Sequence, residues 1–163
     1  MTRLQPGRYR IENNDDGRIL YIGLGAQGDG SDPGDLVSVG LEGNEDSTIW
    51  TVELAKEGEY NKEQNEDQPY ILKCGNLRVG GVEDDENNLF VFSDEIEDKI
   101  TEETRVWNIM EVDVEGKEDY YWILADEDTK GWGVSGDEEP AHIWGWSYNR
   151  HGSGERMFKF IPV

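Results

Sequence analysis

The sequence repeats one short pattern three times, and this repetition limits the folds open to the chain more than any other feature. The pattern is a polar residue, an aliphatic residue, two bulky residues separated by one position, and a small residue. It occurs at 35–40, 88–93 and 142–147. Successive copies are about one third of the chain apart. The repeated unit is therefore long enough to contain several strands.

Each unit contains three further short apolar segments at matching places. The first opens with a tyrosine, the second precedes the repeated pattern, and the third carries a large aromatic residue. The tyrosines are Tyr9, Tyr70 and Tyr121, the second segments are 20–23, 77–80 and 132–135, and the aromatic residues are Trp50, Trp107 and Phe158. Short segments with partial alternation are typical of β-strands. We therefore predict an all-β chain of three four-stranded units, at approximately 6–56, 68–113 and 119–163, within one domain of 1–163.

The threefold pattern resembles the β-trefoil fold, in which three four-stranded units build a barrel closed by hairpins. A three-bladed propeller would have as many strands, but propellers usually have four or more blades. The alignment predicts layers of in-phase side chains around a threefold axis. These layers contain Val37, Phe90 and Trp144; Val39, Phe92 and Trp146; and Trp50, Trp107 and Phe158. Trp144 and Trp146 are thus predicted to pack in the core and not to form a platform for stacking sugars.

Acidic residues dominate the charge of the chain. There are 37 Asp and Glu against 15 Lys and Arg, which gives a formal net charge of −22. Such a charge repels nucleic-acid phosphates and anionic lipids, so we expect neither nucleic acid nor a membrane as partner. Six Trp, seven Tyr and four Phe argue against disorder. No apolar run at the start suits a signal peptide, so we expect a cytoplasmic protein, with export by another route left open.

The sequence contains no recognisable catalytic or metal-binding motif. Cys74, the single cysteine, cannot form an internal disulfide, and no histidine near it in sequence would activate it as a nucleophile. We therefore expect no enzyme, no cofactor and no metal site. Calcium is the metal best suited to the acidic turns at 29–35 and 126–131, although ordinary solvated turns explain both. Whether these turns bind calcium stays open.

Two framework segments resemble those of known proteins. They are 6–13, with the sequence PGRYRIEN, and 48–52, with the sequence TIWTV. With the absence of disulfides and of a signal peptide, they make the chain similar to mushroom β-trefoil inhibitors of the cospin and cnispin type. Those inhibitors act on serine proteases and are related in fold to the mycocypins, which inhibit cysteine proteases. The resemblance implies a serine or cysteine protease as partner, bound through an exposed loop of a rigid barrel.

A carbohydrate-binding lectin with a glycan partner is the alternative function. Ricin-type lectins carry a Q-x-W motif in each unit. The corresponding triplets here are 48–50, 105–107 and 156–158, and none of them contains Gln. The missing motif favours the inhibitor.

The resemblance implies that inhibitory residues lie in the loop between the second and third strands, or in the loop between the eleventh and twelfth strands. The first of these loops is 25–34, and in our alignment its equivalents in the other two units are 83–88 and 136–141. The candidate inhibitory-loop residues are Gln27, Gly28, Asp29, Gly30, Ser31, Asn87, Asn88, Asp137, Glu138 and Glu139. Some mycocypins block asparagine-specific proteases through an Asn, which draws attention to Asn87 and Asn88. A merely solubilising role for these loops stays open.

These three loops contain no Lys or Arg. A trypsin-like protease has an aspartate in its specificity pocket and requires a basic side chain there. We therefore expect no trypsin inhibition through them. Basic residues in other segments could enter the trypsin pocket instead; they are Lys56, Lys62, Lys117 and Lys130.

Overall fold

A computed structural model describes residues 3–15, 18–24, 37–40, 48–60, 63, 68–82, 85–93, 100–101, 104–112, 115–116, 119–125, 130–134, 141–147 and 157–163. These ranges contain twelve β-strands and no α-helix, which confirms the all-β prediction. The strands are β1 (Gly7–Asp15), β2 (Arg18–Leu24), β3 (Val37–Gly40), β4 (Ile49–Leu54), β5 (Tyr70–Cys74), β6 (Leu77–Val82), β7 (Asp85–Phe92), β8 (Trp107–Glu111), β9 (Tyr120–Ala125), β10 (Lys130–Val134), β11 (Ala141–Ser147) and β12 (Phe158–Pro162). No helix suited to crossing a membrane occurs in the same ranges.

Six of the strands form a closed antiparallel barrel. Going round the ring, β1 pairs with β4, β4 with β5, β5 with β8, β8 with β9, β9 with β12, and β12 with β1. The other six strands form the hairpins β2–β3, β6–β7 and β10–β11. Strand β11 also pairs with β3 and with β7, so the third hairpin lies against the other two.

The barrel register brings together the two aromatic positions that recur in the sequence. Tyr9 pairs with Trp50 across β1 and β4, and Tyr70 pairs with Trp107 across β5 and β8. Tyr121 pairs with Phe158 across β9 and β12. The same pair of positions thus meets at three places around the ring.

The centre of the core is built from large aromatic side chains around Trp132. Its ring lies edge-on to three others, with centroid distances of 5.9 Å to Trp50, 5.6 Å to Trp107 and 6.2 Å to Phe158. All four side chains are buried almost completely. The predicted layer of Trp50, Trp107 and Phe158 is therefore present, and one indole from the third hairpin fills the space between its members.

The register of the hairpins corrects the other two predicted layers. Three residues after each recurring tyrosine, the barrel strands pair with Tyr21, Arg78 and Gly131. The next residues, Ile22, Val79 and Trp132, are therefore equivalent, and the third segment lies two residues earlier than the sequence alignment placed it. They pair with Val39, Val91 and Gly145. Val39 therefore corresponds to Val91 and Gly145, one residue before the positions with which the sequence alignment matched it. Because successive strand residues point to opposite faces, a shift of one residue exchanges the two faces.

The tryptophans of β11 are affected most by this correction. Trp144 pairs with Gly133 and Trp146 with Gly131, whereas Trp132 pairs with the intervening Gly145. Positions 144 and 146 are therefore one residue out of register with Val37 and Val39, and the phase predicted for them was wrong. The predicted packing of the two tryptophans in the core stays a prediction.

Candidate functional site

The three hairpin connections differ in length more than the sequence alignment indicated. They comprise 25–36 between β2 and β3, 83–84 between β6 and β7, and 135–140 between β10 and β11. Eight predicted inhibitory-loop residues lie outside the described residues: Gln27, Gly28, Asp29, Gly30, Ser31, Asp137, Glu138 and Glu139. The first connection is the longest of the three, and its two flanking strands are described.

Asn87 and Asn88 do not lie in a connecting loop. Both belong to β7, and Asn88 pairs with Trp144 of β11. Val82 pairs with Asp85 after an irregularity in the ladder, so the expected loop of 83–88 shrinks to the two residues 83–84. A loop was predicted here because acidic and amide residues are rare in strands. In the structure, β7 is extended because it pairs with β6 on one side and β11 on the other. A protease contact by the two asparagines stays a prediction.

The base of the 25–36 connection is fixed to the core. Leu24 pairs with Val37, and the ladder continues inward through Ile22 and Val39. Ile22 is fully buried, and its carbonyl oxygen accepts a hydrogen bond of 2.9 Å from Nε1 of Trp50. The two ends of the connection are therefore held at the spacing of an antiparallel pair by a strand that cannot move without disturbing the core.

The hairpin β6–β7 is held from outside as well as from the core. The backbone N–H of Gly81 donates to Oγ1 of Thr104 at 2.9 Å, and the N–H of Thr101 donates to the carbonyl of Gly81 at 3.0 Å. A Cβ atom at Gly80 would collide with Cγ2 of Ile100. The segment before β8 thus packs directly on this hairpin and requires a glycine beneath Ile100.

Lys56 begins a tight turn after β4. Its N–H donates to Oε1 of Glu59 at 2.9 Å, and its carbonyl accepts from the N–H of Glu59 at 3.0 Å. Gly58 has a φ of 97°, which glycine adopts readily. Because the turn uses both backbone groups of Lys56, they are not free to pair with an extended protease cleft. Of the other basic residues considered, Lys130 lies in β10, and Lys62 and Lys117 lie outside the described residues.

A buried ion pair holds the end of this turn. Oε2 of Glu59 lies 3.5 Å from Nη1 of Arg78, whose side chain is only 7% exposed. Nη2 of Arg78 donates to the carbonyl of Arg105 at 2.8 Å. One guanidinium on β6 therefore connects the segments that follow β4 and precede β8.

Cys74 is a core residue. It is 3% exposed, and burial raises the pKa of its thiol to about 11. A thiol with this pKa stays protonated at neutral pH and is a poor nucleophile. Its predicted structural role is consistent with this environment.

The described part of the chain contains no group of three His, Cys, Asp or Glu side chains arranged to hold a metal ion. The two acidic turns considered for calcium, at 29–35 and 126–131, lie outside the described residues except for Lys130 and Gly131. Calcium binding at those turns stays an open question.

No model of a known protein family matches this chain, and no curated protein matches it. Solved structures do match. A proteinase inhibitor from Coprinopsis cinerea is 22% identical with a TM-score of 0.71, over 99% of this chain and 100% of its own. The designed threefold-symmetric protein ThreeFoil is 16% identical with a TM-score of 0.69, over 96% and 99%. The ricin B-like lectin of Macrolepiota procera, solved in complex with lactose, is 16% identical with a TM-score of 0.65, over 99% and 100%.

At these identities the likeness shows the fold and leaves the function unassigned. The inhibitor, the designed protein and the lectin share one architecture with this chain along almost their whole lengths. Because proteins with this one architecture differ in function, the function must be argued from the chain's own residues.

Proposed function

We propose that this chain is a β-trefoil protease inhibitor similar to those of mushrooms, and that it inserts the 25–36 connection into the active-site cleft of a serine or cysteine protease. A closed six-stranded barrel with three hairpins supports the trefoil part of the proposal. The likeness to the Coprinopsis inhibitor supports the proposal, as do the segments 6–13 and 48–52.

The anchored base of the 25–36 connection is the observation that carries the proposal. Trp50 fixes the carbonyl of Ile22, and the ladder from Ile22 to Leu24 fixes the point at which the chain leaves the hairpin. An inhibitory loop binds tightly when little conformational entropy is lost on docking. A rigid base lowers the entropy that the residues of the 25–36 connection lose on docking.

The composition of the connection indicates which proteases it would fit. Residues 25–36 contain Asp29, Asp32 and Asp35 and no Lys or Arg. Placing one of these carboxylates against the pocket aspartate of a trypsin-like protease would bring like charges together in a desolvated site. The target therefore has an apolar, polar or basic specificity pocket. Gln27 is the uncharged polar side chain in the connection with the longest reach.

The experiment that tests the proposal is a panel of purified serine, cysteine and asparagine-specific proteases, each titrated with the protein. We expect stoichiometric inhibition of at least one member without a basic specificity, and none of trypsin. Asp29→Ser should change that inhibition. Glu115→Ser removes the same charge at an exposed turn near Gly116 and is the matched control. If both variants changed inhibition equally, the loss of one negative charge anywhere on the chain would explain the change, and insertion of this loop would be contradicted.

Carbohydrate binding is the second candidate, favoured by the likeness to the lactose-bound Macrolepiota lectin. The residue at the place of the lectin Gln in the first unit is Thr48, which is buried and lies 3.4 Å from Nε of Arg10 through its Oγ1 atom. A buried threonine at this place does not supply the amide of the motif. A glycan array that includes lactose decides this alternative, and specific glycan binding without protease inhibition would replace the proposal above.

A further inference from the structure

Residues 3–6 precede β1 at one end of the barrel. Tyr70 is the first residue of β5, and it pairs with Leu54, the last residue of β4. Tyr9 pairs with Pro162, the last residue of β12. Tyr9 and Tyr70 therefore mark the end of the barrel at which β4 and β12 finish, and both tyrosines contact residues 3–6. We call residues 3–6 the strap.

The two tyrosine hydroxyls hold consecutive carbonyls of the strap. Tyr70 donates to the carbonyl of Leu4 and Tyr9 donates to the carbonyl of Gln5, both at 2.6 Å. The Leu4 side chain is 7% exposed and belongs to the main core cluster. The strap thus closes the barrel end with one apolar side chain and two hydroxyl-to-backbone hydrogen bonds.

Arg3 secures the outer side of the strap. Its Nε atom donates to the hydroxyl of Tyr70 at 2.9 Å, and its guanidinium carbon lies 5.1 Å from the centre of the same ring. Its Nη2 atom donates to the carbonyl of Gln68. Gln68 in turn donates through Nε2 to the carbonyl of Ala55 at 2.5 Å, and Ala55 N–H donates to the carbonyl of Pro69 at 2.9 Å. The strap and the base of the β4–β5 connection are therefore one hydrogen-bonded unit.

Tyr121 occupies the position equivalent to Tyr9 and Tyr70 but, within the described part of the chain, it is not hydrogen-bonded to the strap. Its ring lies edge-on to Phe160 at 5.6 Å, as the ring of Tyr9 does at 5.7 Å. Among the described residues, no hydrogen bond joins Tyr121 to the strap. Two of the three equivalent tyrosines thus form hydrogen bonds with the strap. The third, Tyr121, can serve as a control for substitutions of the other two.

We propose that the strap is a releasable closure, which opens as a unit while the barrel stays folded, when the hydroxyls of Tyr9 and Tyr70 no longer donate to it. Residues 3–6 belong to no strand of the sheet, so their opening breaks no ladder hydrogen bond. Opening uncovers the aromatic end of the barrel and frees Gln68 from Arg3. Burial and the neighbouring Tyr70 raise the pKa of Tyr9, so its hydroxyl stays a donor to higher pH than that of an exposed tyrosine.

Thiol labelling tests this closure, with Cys74 as an internal reporter of global unfolding. Leu4→Cys places a thiol on the buried side of the strap and is the common background for the tyrosine variants. Its labelling rate measures strap opening, while Cys74 is labelled when the core opens. Each experiment uses the full chain at neutral pH. Tyr9→Phe and Tyr70→Phe keep the rings and remove the hydroxyls, and Tyr121→Phe makes the same change where no strap contact exists.

We expect the thiol introduced by Leu4→Cys to be labelled faster than Cys74. Tyr9→Phe should raise that rate about 5-fold, because a neutral hydrogen bond contributes roughly that factor to an equilibrium. Tyr70→Phe should raise it more, because the Tyr70 hydroxyl also accepts a hydrogen bond from Nε of Arg3. Tyr121→Phe should leave it unchanged. Labelling of both thiols at one common rate, or an equal acceleration by all three tyrosine variants, would overturn the proposal. Full reactivity of the introduced thiol with all tyrosines intact would overturn it as well.

Discussion

The indole of Trp132 lies edge-on to the indole of Trp50, with 5.9 Å between ring centroids and an interplanar angle of 70°. Trp107 and Phe158 meet the same indole from two other directions. Edge-to-face aromatic pairs are favourable beyond the area they bury. One side chain from β10 therefore joins the aromatic residues of β4, β8 and β12, and it couples the third hairpin to all three parts of the barrel.

Replacing Trp132 should be among the most destabilising changes in the chain. We expect Trp132→Ala to lower the free energy of unfolding by about 3–5 kcal/mol, because it leaves a large cavity between three fixed rings. Trp132→Phe should cost less, since an aromatic ring still contacts its neighbours. Chemical denaturation measures both. A cost for Trp132→Ala within the range of ordinary surface changes would contradict this arrangement of the core.

The ion pair of Arg78 and Glu59 should matter more than that of Lys73 and Glu53. The Arg78 side chain is 7% exposed, whereas those of Lys73 and Glu53 are 29% and 46% exposed. Arg78→Ala leaves the carbonyl of Arg105 and part of Glu59 without their cation, at a cost of about 3 kcal/mol. Lys73→Ala should cost about 0–1 kcal/mol. If the two variants had the same denaturation midpoint, burial would not determine how much each ion pair contributes to stability.

Gly80→Ala should be destabilising, and the neighbouring Gly81→Ala should be tolerated better. A Cβ at position 80 collides with Ile100, whereas at position 81 the nearest atom, in Thr104, is 3.5 Å away. Overpacking of this kind costs about 1–3 kcal/mol. Ile100→Ala in the Gly80→Ala background should recover part of the loss. Additive effects of these two substitutions in a double-mutant cycle would exclude the collision as the cause.

Burial of Cys74 should make stability fall at alkaline pH. Its thiol pKa is raised from 9.0 to about 11 in the folded chain. Well below pH 9 the thiol is protonated in both states, and its contribution does not change with pH. Between pH 9 and 11 the unfolded thiol loses its proton first, so the free energy of unfolding falls by about 1.4 kcal/mol per pH unit.

Cys74→Ala removes this dependence and serves as the comparison. The difference in unfolding free energy between the native chain and the variant should be constant below pH 9 and should shrink steadily above it. Tyrosines titrate equally in both chains, so they cancel in the difference. A difference that stays constant up to pH 11 would show that the folded thiol ionises as readily as the unfolded one.

The sequence predicted the elements of the barrel well and the register of the hairpins poorly. Tyr9, Tyr70 and Tyr121 could be aligned because each pairs with a large aromatic residue, which leaves a strong recurring signal. The hairpin pattern at 35–40 contains two valines and a glycine, and it can be shifted by one residue with little change in hydrophobicity. That shift wrongly placed Trp144 and Trp146 in register with Val37 and Val39.

The candidate site was predicted in part for similar reasons. The β2–β3 connection was recognised because glycines and aspartates mark a turn-rich segment. The loop of 83–88 was placed wrongly because a polar composition outweighed the pairing of β7 with β6 and β11, which sequence alone does not reveal. The strap was not anticipated at all, since its contact with Tyr70 spans 66 residues of the chain and no sequence pattern marks the bond from Tyr9 to Gln5.

Inhibition by a chain with a shortened β2–β3 connection tests the central claim most directly. Replacing 25–36 with Asn-Gly, a dipeptide that closes two-residue hairpins, keeps the pair of Leu24 and Val37 and removes the proposed inhibitory residues. The same replacement of 135–140 is the matched control. The measurement is the inhibition constant against the protease that the native chain inhibits best. We expect the first variant to lose about 100-fold or more, as removal of a central contact does, and the second to bind like the native chain. Undiminished inhibition by the first variant, or no inhibition of any protease by the native chain, would contradict the account.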